Sequence, residues 1–483
     1  MNKSIRNSMI FILVMVIILL VNLTIIQGFK EDEYAKNPLN RRAIIETKSQ
    51  PRGQISADGI VLAESFEGED GFYHRRYPNA PESFGAVEGY LSDIYGATGI
   101  EASHNDVLSG TANSAKLWWK RLISQDKVVG NVELTLLPSA QETAYSQLTN
   151  ANYEGAVVAI KPSTGEILAM ASSPSYNPAL IADNTTAESA WADLNANPGK
   201  PLLNHATQET LPPGSTFKVI TTAAALNNGY SPDSTVTGAP QITLPGTTAT
   251  LENYGGQICA GSQQVNLLTA FQYSCNTAFV EMAIDTGADA LRDAASGFGV
   301  TETYDLGVPM AQGRIGDIPD DPALGQTAIG QRDVAMSVLQ NAVVAATVAN
   351  GGVRMEPHLV SRVVANDLSV LEETQPQELD NSISPEIAGT LTELMRASER
   401  HTAGHAGQNI ASKTGTAEHG EDSRNSNPHA WYIAFAPGED IAVAVVVKNG
   451  GDLGQAATGG SVAAPIGRAV IAAIQSANAQ GGQ

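Results

Sequence analysis

Between Met9 and Gly28 the chain reads MIFILVMVIILLVNLTIIQG, a run without a single charged residue. About twenty apolar residues are what a helix needs to cross a bilayer, and a run of this kind has few other stable fates. A cleaved export leader is the competing reading. The apolar core is long, however, and no small-x-small site precedes Lys30-Glu31-Asp32-Glu33. The expectation is therefore an uncleaved transmembrane anchor over residues 9–28, behind a short cytoplasmic tail, 1–8. Charge does not orient it, because Lys3 and Arg6 on one side face Lys30, Lys36, Arg41 and Arg42 on the other. Orientation has to come from the chemistry of the chain beyond residue 28.

With 483 residues in all, the chain beyond this run is long enough for more than one domain. A formal net charge of −22 argues against a polyanion as partner, since phosphate contacts need clustered Lys and Arg. No nucleic-acid partner is expected. Residues 29–125 carry short apolar stretches broken by glycine and charge, as in RGQISADGIVLAES and FGAVEGYLSDIYGATGIE, the pattern of short strands and turns. From residue 126 the character changes. VELTLL and GAVVAI read as strands, and TGEILAMAS as the return arm of a hairpin about Pro162-Ser163-Thr164-Gly165. Near the C-terminus AWYIAFAP and IAVAVVVKNG flank a turn at Pro437-Gly438, and APIGRAVIAAIQSANA supplies a helix to cover the sheet. The expected fold is α+β, an antiparallel sheet with helices over residues 126–483, preceded by the anchor and a smaller, mainly β domain over 29–125.

Pro212-Pro213-Gly214-Ser215-Thr216-Phe217-Lys218 leads into VITTAAAL and stops at Asn227-Asn228-Gly229, with proline and glycine marking the start of a buried helix and Asn-Gly its end. Residues i and i+3 share a face in the first turn, so Ser215 Oγ and Lys218 Nζ can meet at an apolar helix end. Desolvation there lowers a lysine's pKa and leaves a neutral amine able to take the serine proton. Spacing alone is weak evidence, because Ser124-Gln125-Asp126-Lys127 repeats it in a polar, linker-like setting. Two further fragments matter. Ser274-Cys275-Asn276 has the form Ser-x-Asn, which Ser103-His104-Asn105 and Ser423-Arg424-Asn425 share. Lys413-Thr414-Gly415 is unique in the chain, and NIASKTGTAEHG around it reads as an edge strand whose glycine admits a substrate backbone.

In this order and setting the three fragments resemble the signature shared by penicillin-binding proteins and serine β-lactamases. The chain as a whole resembles a class B penicillin-binding protein, a monofunctional transpeptidase. Arg52-Gly53-Gln54-Ile55, Asp58-Gly59, Arg76-Tyr77-Pro78, Gly89-Tyr90, Gly99-Ile100-Glu101 and Leu108-Ser109-Gly110 match the pedestal region of that family. Ala328-Ile329-Gly330-Gln331, Ala349-Asn350-Gly351-Gly352 and Pro357-His358 match the stretch between its second and third motifs.

The resemblance implies a β-lactamase-like transpeptidase domain and a peptidoglycan D,D-transpeptidase reaction. Ser215 would attack the penultimate D-Ala carbonyl of a stem peptide, and β-lactams would acylate the same serine. Lys218 would be general base, Ser274 with Lys413 would relay a proton to the leaving amine, and Asn276 would hold the peptide amide. The hydroxyls of Thr414 and Thr416, beside Gly415, would meet the substrate carboxylate. Backbone N–H groups of Ser215 and Thr416 would form the oxyanion hole. No cofactor or metal is expected, and neither an HExxH nor a P-loop match occurs. The resemblance also implies a single-pass protein of the cell membrane, its catalytic domain outside, working in cell wall biogenesis beside a SEDS-type glycosyltransferase. A serine β-lactamase would not need the anchor and pedestal; a β-lactam sensor would need more spans; a non-catalytic scaffold would not need the intact motifs.

Cys259 and Cys275 are the two cysteines of the chain. If Ser274 and Asn276 face the cleft, Cys275 between them faces away from it. In an exported domain a Cys259–Cys275 disulfide is then expected, structural rather than catalytic, with a free buried thiol as the alternative.

Overall fold

The computed structural model describes residues 3–29, 48–111, 129–419 and 426–481, in two compact units. Ser124-Gln125-Asp126-Lys127 and Ser423-Arg424-Asn425 lie outside the described residues. The first unit comprises residues 1–52 and 65–74. Its main element is one helix, Lys3–Phe29, which starts ahead of the apolar run. Every side chain from Lys3 to Ile25 is exposed, and the segment reaches a mean hydropathy of 2.9. An apolar helix with all its surface uncovered is long and greasy enough to cross a membrane.

The second unit, residues 53–64 and 75–483, holds two main sheets and, among the described residues, four two-stranded ones. In one of the main sheets the strands run in the order Val370–Glu373, Val360–Ala365, Gly130–Leu134, Ile55–Ala57, followed by the strand that begins at Ile60. Ile55–Ala57 pairs parallel with Gly130–Leu134, and Val360–Ala365 pairs antiparallel with the latter. VELTLL thus forms its strand in this sheet, and chain from beyond residue 350 returns to complete it. Ile55, Leu62, Val132 and Val363 fill its interior.

The other main sheet has five antiparallel strands, ordered Ala411–Ala417, His429–Phe435, Ala442–Val447, Gly155–Ile160, Ile167–Ser173. Both expected hairpins are here, with Gly165 (φ 84°) and Gly438 (φ 86°) in the left-handed turn positions that glycine occupies without strain. The strands read as unbroken apolar runs because both faces are buried. Ala442, Ala444 and Val446 point into one core with helix Val338–Ala349, whereas Val443, Val445 and Val447 point into another with helix Ala464–Gly481. Ala411–Ala417 is left as an edge strand, with no sheet neighbour on its outer side among the described residues.

Candidate active site

Ser215 lies on a single 3₁₀ turn, Gly214–Phe217, that runs directly into the helix Lys218–Asn227. Gly214 has φ 54°, which lets the chain turn sharply out of Pro213. Three neighbours grip the turn. Gly214 N donates to Gly330 O at 3.0 Å, and Trp431 Nε1, on the second strand of the sheet, donates to Pro212 O at 2.8 Å. From the edge strand Gly415 packs so closely that a Cβ there would stand 2.7 Å from Pro213 O. Gly415 therefore admits the turn that carries Ser215, a use of the glycine different from the substrate approach expected from sequence.

Ser274 occupies the break between helices Leu267–Tyr273 and Asn276–Thr286, with φ 59°. That left-handed residue sends the Ser274 and Asn276 side chains into the cleft and Cys275 behind it. Cys275 is bonded to Cys259, their Cα atoms 5.7 Å apart, in a small apolar cluster with Val236, Ala270 and Ala278.

Two lysines meet beneath Ser274. Lys218 Nζ donates to Ser274 O at 2.8 Å and to Asn276 Oδ1 at 2.7 Å, and lies 3.2 Å from Ser274 Oγ. Lys413 Nζ donates to the same hydroxyl at 2.9 Å and to Thr414 O at 3.0 Å. Ser274 Oγ is thus shared by two amines. Both side chains are sealed from solvent, over the rings of Phe279 and Phe271, and neither has a carboxylate partner among the described residues. Burial holds Lys218 well below the ordinary lysine range, with the charge of Lys413 adding to the effect. Burial likewise brings Lys413 down to about 7. Ser215 Oγ, by contrast, has no hydrogen bond among the described residues and opens onto the cleft. The sequence pairs Lys218 with Ser215; at rest the amine is turned toward Ser274 and Asn276, where the nearest acceptors lie.

The cleft encloses about 1070 Å³, and Ser215, Ser274, Asn276, Thr414 and Thr416 all line it. Thr414 and Thr416 alternate with buried Lys413 and Gly415 along the edge strand. Sequence reasoning missed the opposite wall, a hairpin of Gln241–Thr243 and Thr250–Glu252 continuing through Tyr254. Asn276 Nδ2 donates to Glu252 O at 2.9 Å, and Asn253 Oδ1 accepts from Thr277 N at 3.0 Å. These bonds dock the hairpin onto the second motif. They span 24 residues and leave no local pattern to read. Buried Glu399 was missed too; it accepts from Tyr432 Oη at 2.9 Å and Arg468 Nε at 2.8 Å, and bonds Ser412 on the face of the edge strand opposite Lys413.

A cleft with an open serine hydroxyl, and with two desolvated lysines on a second serine, has the chemistry of a serine acyl-transfer site, and no metal-binding group of side chains occurs among the described residues. Comparison with known proteins agrees with that class. Residues 155–472 match the penicillin binding protein transpeptidase domain, and residues 52–132 match the penicillin binding protein A dimerisation domain. The chain belongs to the penicillin-binding protein transpeptidase family. It is 47% identical to the peptidoglycan D,D-transpeptidase PbpA of Mycolicibacterium smegmatis, over 98% of this chain and 99% of the relative. The PbpA of Mycobacterium tuberculosis is 46% identical over the same shares. Among solved structures, the penicillin G acyl-enzyme complex of M. tuberculosis penicillin-binding protein A superposes with a TM-score of 0.84 at 47% identity, covering 88% of this chain and 100% of that one. Its ceftriaxone acyl-enzyme complex gives 0.85 at 46% identity, covering 89% and 99%.

Proposed function

We propose that the protein is a membrane-anchored peptidoglycan D,D-transpeptidase whose nucleophile is Ser215, inhibited covalently by β-lactams. The observation that carries this is the Ser274 hydroxyl held between Lys218 and Lys413 in the cleft that Ser215 opens onto. A neutral Lys218 amine spends its two N–H groups on Ser274 O and Asn276 Oδ1 and keeps its lone pair as the base. It takes the Ser215 proton as Oγ bonds to the penultimate D-Ala carbonyl carbon. The resulting oxyanion is met by the backbone N–H groups of Ser215 and Thr416. Collapse breaks the peptide bond, and the terminal D-Ala amine leaves with a proton passed from Lys218 through Ser274 Oγ, with Lys413 close by. Amine from a second stem peptide then attacks the ester and frees Ser215. Thr414 and Thr416 hold the substrate carboxylate and Asn276 its amide. The disulfide is structural and steadies Ser274 and Asn276.

Residues 9–28 span the cell membrane in this reading, 1–8 stay cytoplasmic, and the pedestal (29–125) and catalytic domain (126–483) work outside, where peptidoglycan is. A SEDS-type glycosyltransferase is the membrane partner. Intact-mass measurement after incubation with a penicillin tests the core of it. Wild-type protein gains one adduct at Ser215 and Ser215→Ala gains none; labelling of the variant at full rate would sink the assignment.

A further inference from the structure

Arg332 is the one lysine or arginine among the described residues that line the cleft, where Glu252 and Glu418 are the acidic ones. It comes after Gly330-Gln331 in the turn that the nucleophile is bonded to. A Cβ at Gly330 would stand 2.2 Å from Gly214 O, so this turn and the Ser215 turn are locked together as one rigid piece. Arg332 itself has φ 63°, a left-handed conformation that a bulky residue adopts only when its surroundings enforce it.

Its guanidinium is half used. Nη1 is tied to the carbonyl of Asp317 and lies 3.2 Å from the Asp333 carboxylate. Nε and Nη2 make no hydrogen bond among the described residues, and the side chain is 29% exposed. Those two nitrogens form the edge of a guanidinium that receives a carboxylate with two parallel bonds. Tethering through Nη1 fixes the direction of that edge, which lowers the entropy lost on binding. Asp333 offsets only part of the charge, since the pair is open to solvent.

We infer that Arg332 is a subsite for a free carboxylate on the stem peptide, separate from the terminal carboxylate given to Thr414 and Thr416. The inference rests on the transpeptidase reading. A stem peptide whose diamino acid keeps a carboxylate free beside its side-chain amine brings such a group on both the donor strand and the acceptor strand. A carboxamide in its place keeps one acceptor oxygen but loses the charge and sets an NH2 donor against the other guanidinium N–H, so the subsite makes the enzyme sensitive to amidation of its substrate.

The test crosses two changes. Synthetic stem pentapeptides with the diamino-acid carboxylate free or amidated are compared as donors, through acylation and D-Ala release, and as acceptors, through capture of a preformed acyl-enzyme. Wild-type protein prefers the free acid, and in Arg332→Gln that preference falls by about tenfold, in the arm where the subsite acts. Arg332→Asn, whose side chain tolerates the left-handed backbone, gives the same collapse of the ratio, and Arg332→Lys restores part of it. A ratio that stays the same in all three variants, in both arms, overturns the subsite. Failure of the underlying reading looks different, because wild-type protein would then form no Ser215 adduct with penicillin at all.

Discussion

A buried lysine without a carboxylate beside it is uncommon, and this cleft has two in contact with one hydroxyl. Burial lowers the pKa of both and so favours the unprotonated amine at neutral pH; with Lys218 as the proposed base, activity should fall in acid as that amine takes up a proton. Stopped-flow acylation by a fluorescent penicillin should show a rate that declines below a pKa well under the lysine norm; a flat profile from neutral to acid would remove the neutral base. Lys218→Ala should slow the same step by at least ~10²-fold, the usual loss with a general base. Lys413 makes a separate prediction for stability. Its folded pKa of about 7 lies below the ordinary 10.5, so between these values the unfolded chain holds a proton that the folded chain does not. Stability from this group therefore rises with pH across that window, by at most about 1.4 kcal/mol per pH unit. Urea unfolding across the window should give a shallower rise in Lys413→Met than in the wild type, and equal slopes would count against the neutral lysine.

Elements bring these residues together by contacts of very unequal legibility. Ser215 and Lys218 are three apart on a turn whose Pro-Pro-Gly start can be read locally, and Lys413-Thr414-Gly415 announces its strand by pattern alone. The alternation of Val443, Val445 and Val447 with Ala442, Ala444 and Val446 is legible in the same way, since side-chain direction on a strand has period two. The clasping of the pieces could not be read. Trp431 reaches Pro212 across 219 residues, and Asn253 reaches Thr277 across 24, with nothing in either neighbourhood to mark the partner. The direction of Lys218 at rest was also hidden, because it depends on acceptors brought by Ser274 and Asn276 from another helix pair. Two of these contacts can be probed directly. Gly415→Ala sets a methyl 2.7 Å from Pro213 O and must push the nucleophile turn away, so acylation should slow by roughly tenfold or more while the sheet survives. Removing the disulfide as Cys259→Ser with Cys275→Ser, which opens a loop of sequence separation 16, should lower unfolding free energy by about 3 kcal/mol in urea titration. Labelling at the wild-type rate in the first case, or an unchanged midpoint in the second, would show these contacts to be incidental.

For the whole molecule, the candidate membrane span lies in one compact unit and the cleft in the other. The helix Lys3–Phe29 contributes no residue to the cleft, and the solved M. tuberculosis relative matches 88% of this chain with all of its own length. Protein lacking residues 1–47 should therefore leave the membrane fraction for the soluble one and keep wild-type penicillin labelling per molecule; loss of labelling would give the N-terminal unit a catalytic part. The hairpin wall has one more consequence, for drug resistance. The turn bearing Ser215 is clamped by Gly330, Gly415 and Trp431, so few substitutions there can leave acylation by the natural substrate intact. Gln241–Thr243 and Thr250–Glu252 expose most of their side chains, and the hairpin meets the second motif through hydrogen bonds at Glu252 and Asn253, with the Cys259–Cys275 disulfide further along the chain. Escape from β-lactams by mutation should collect on this hairpin, and sequencing of variants selected on a penicillin would find it there or find the turn itself more forgiving than its packing allows.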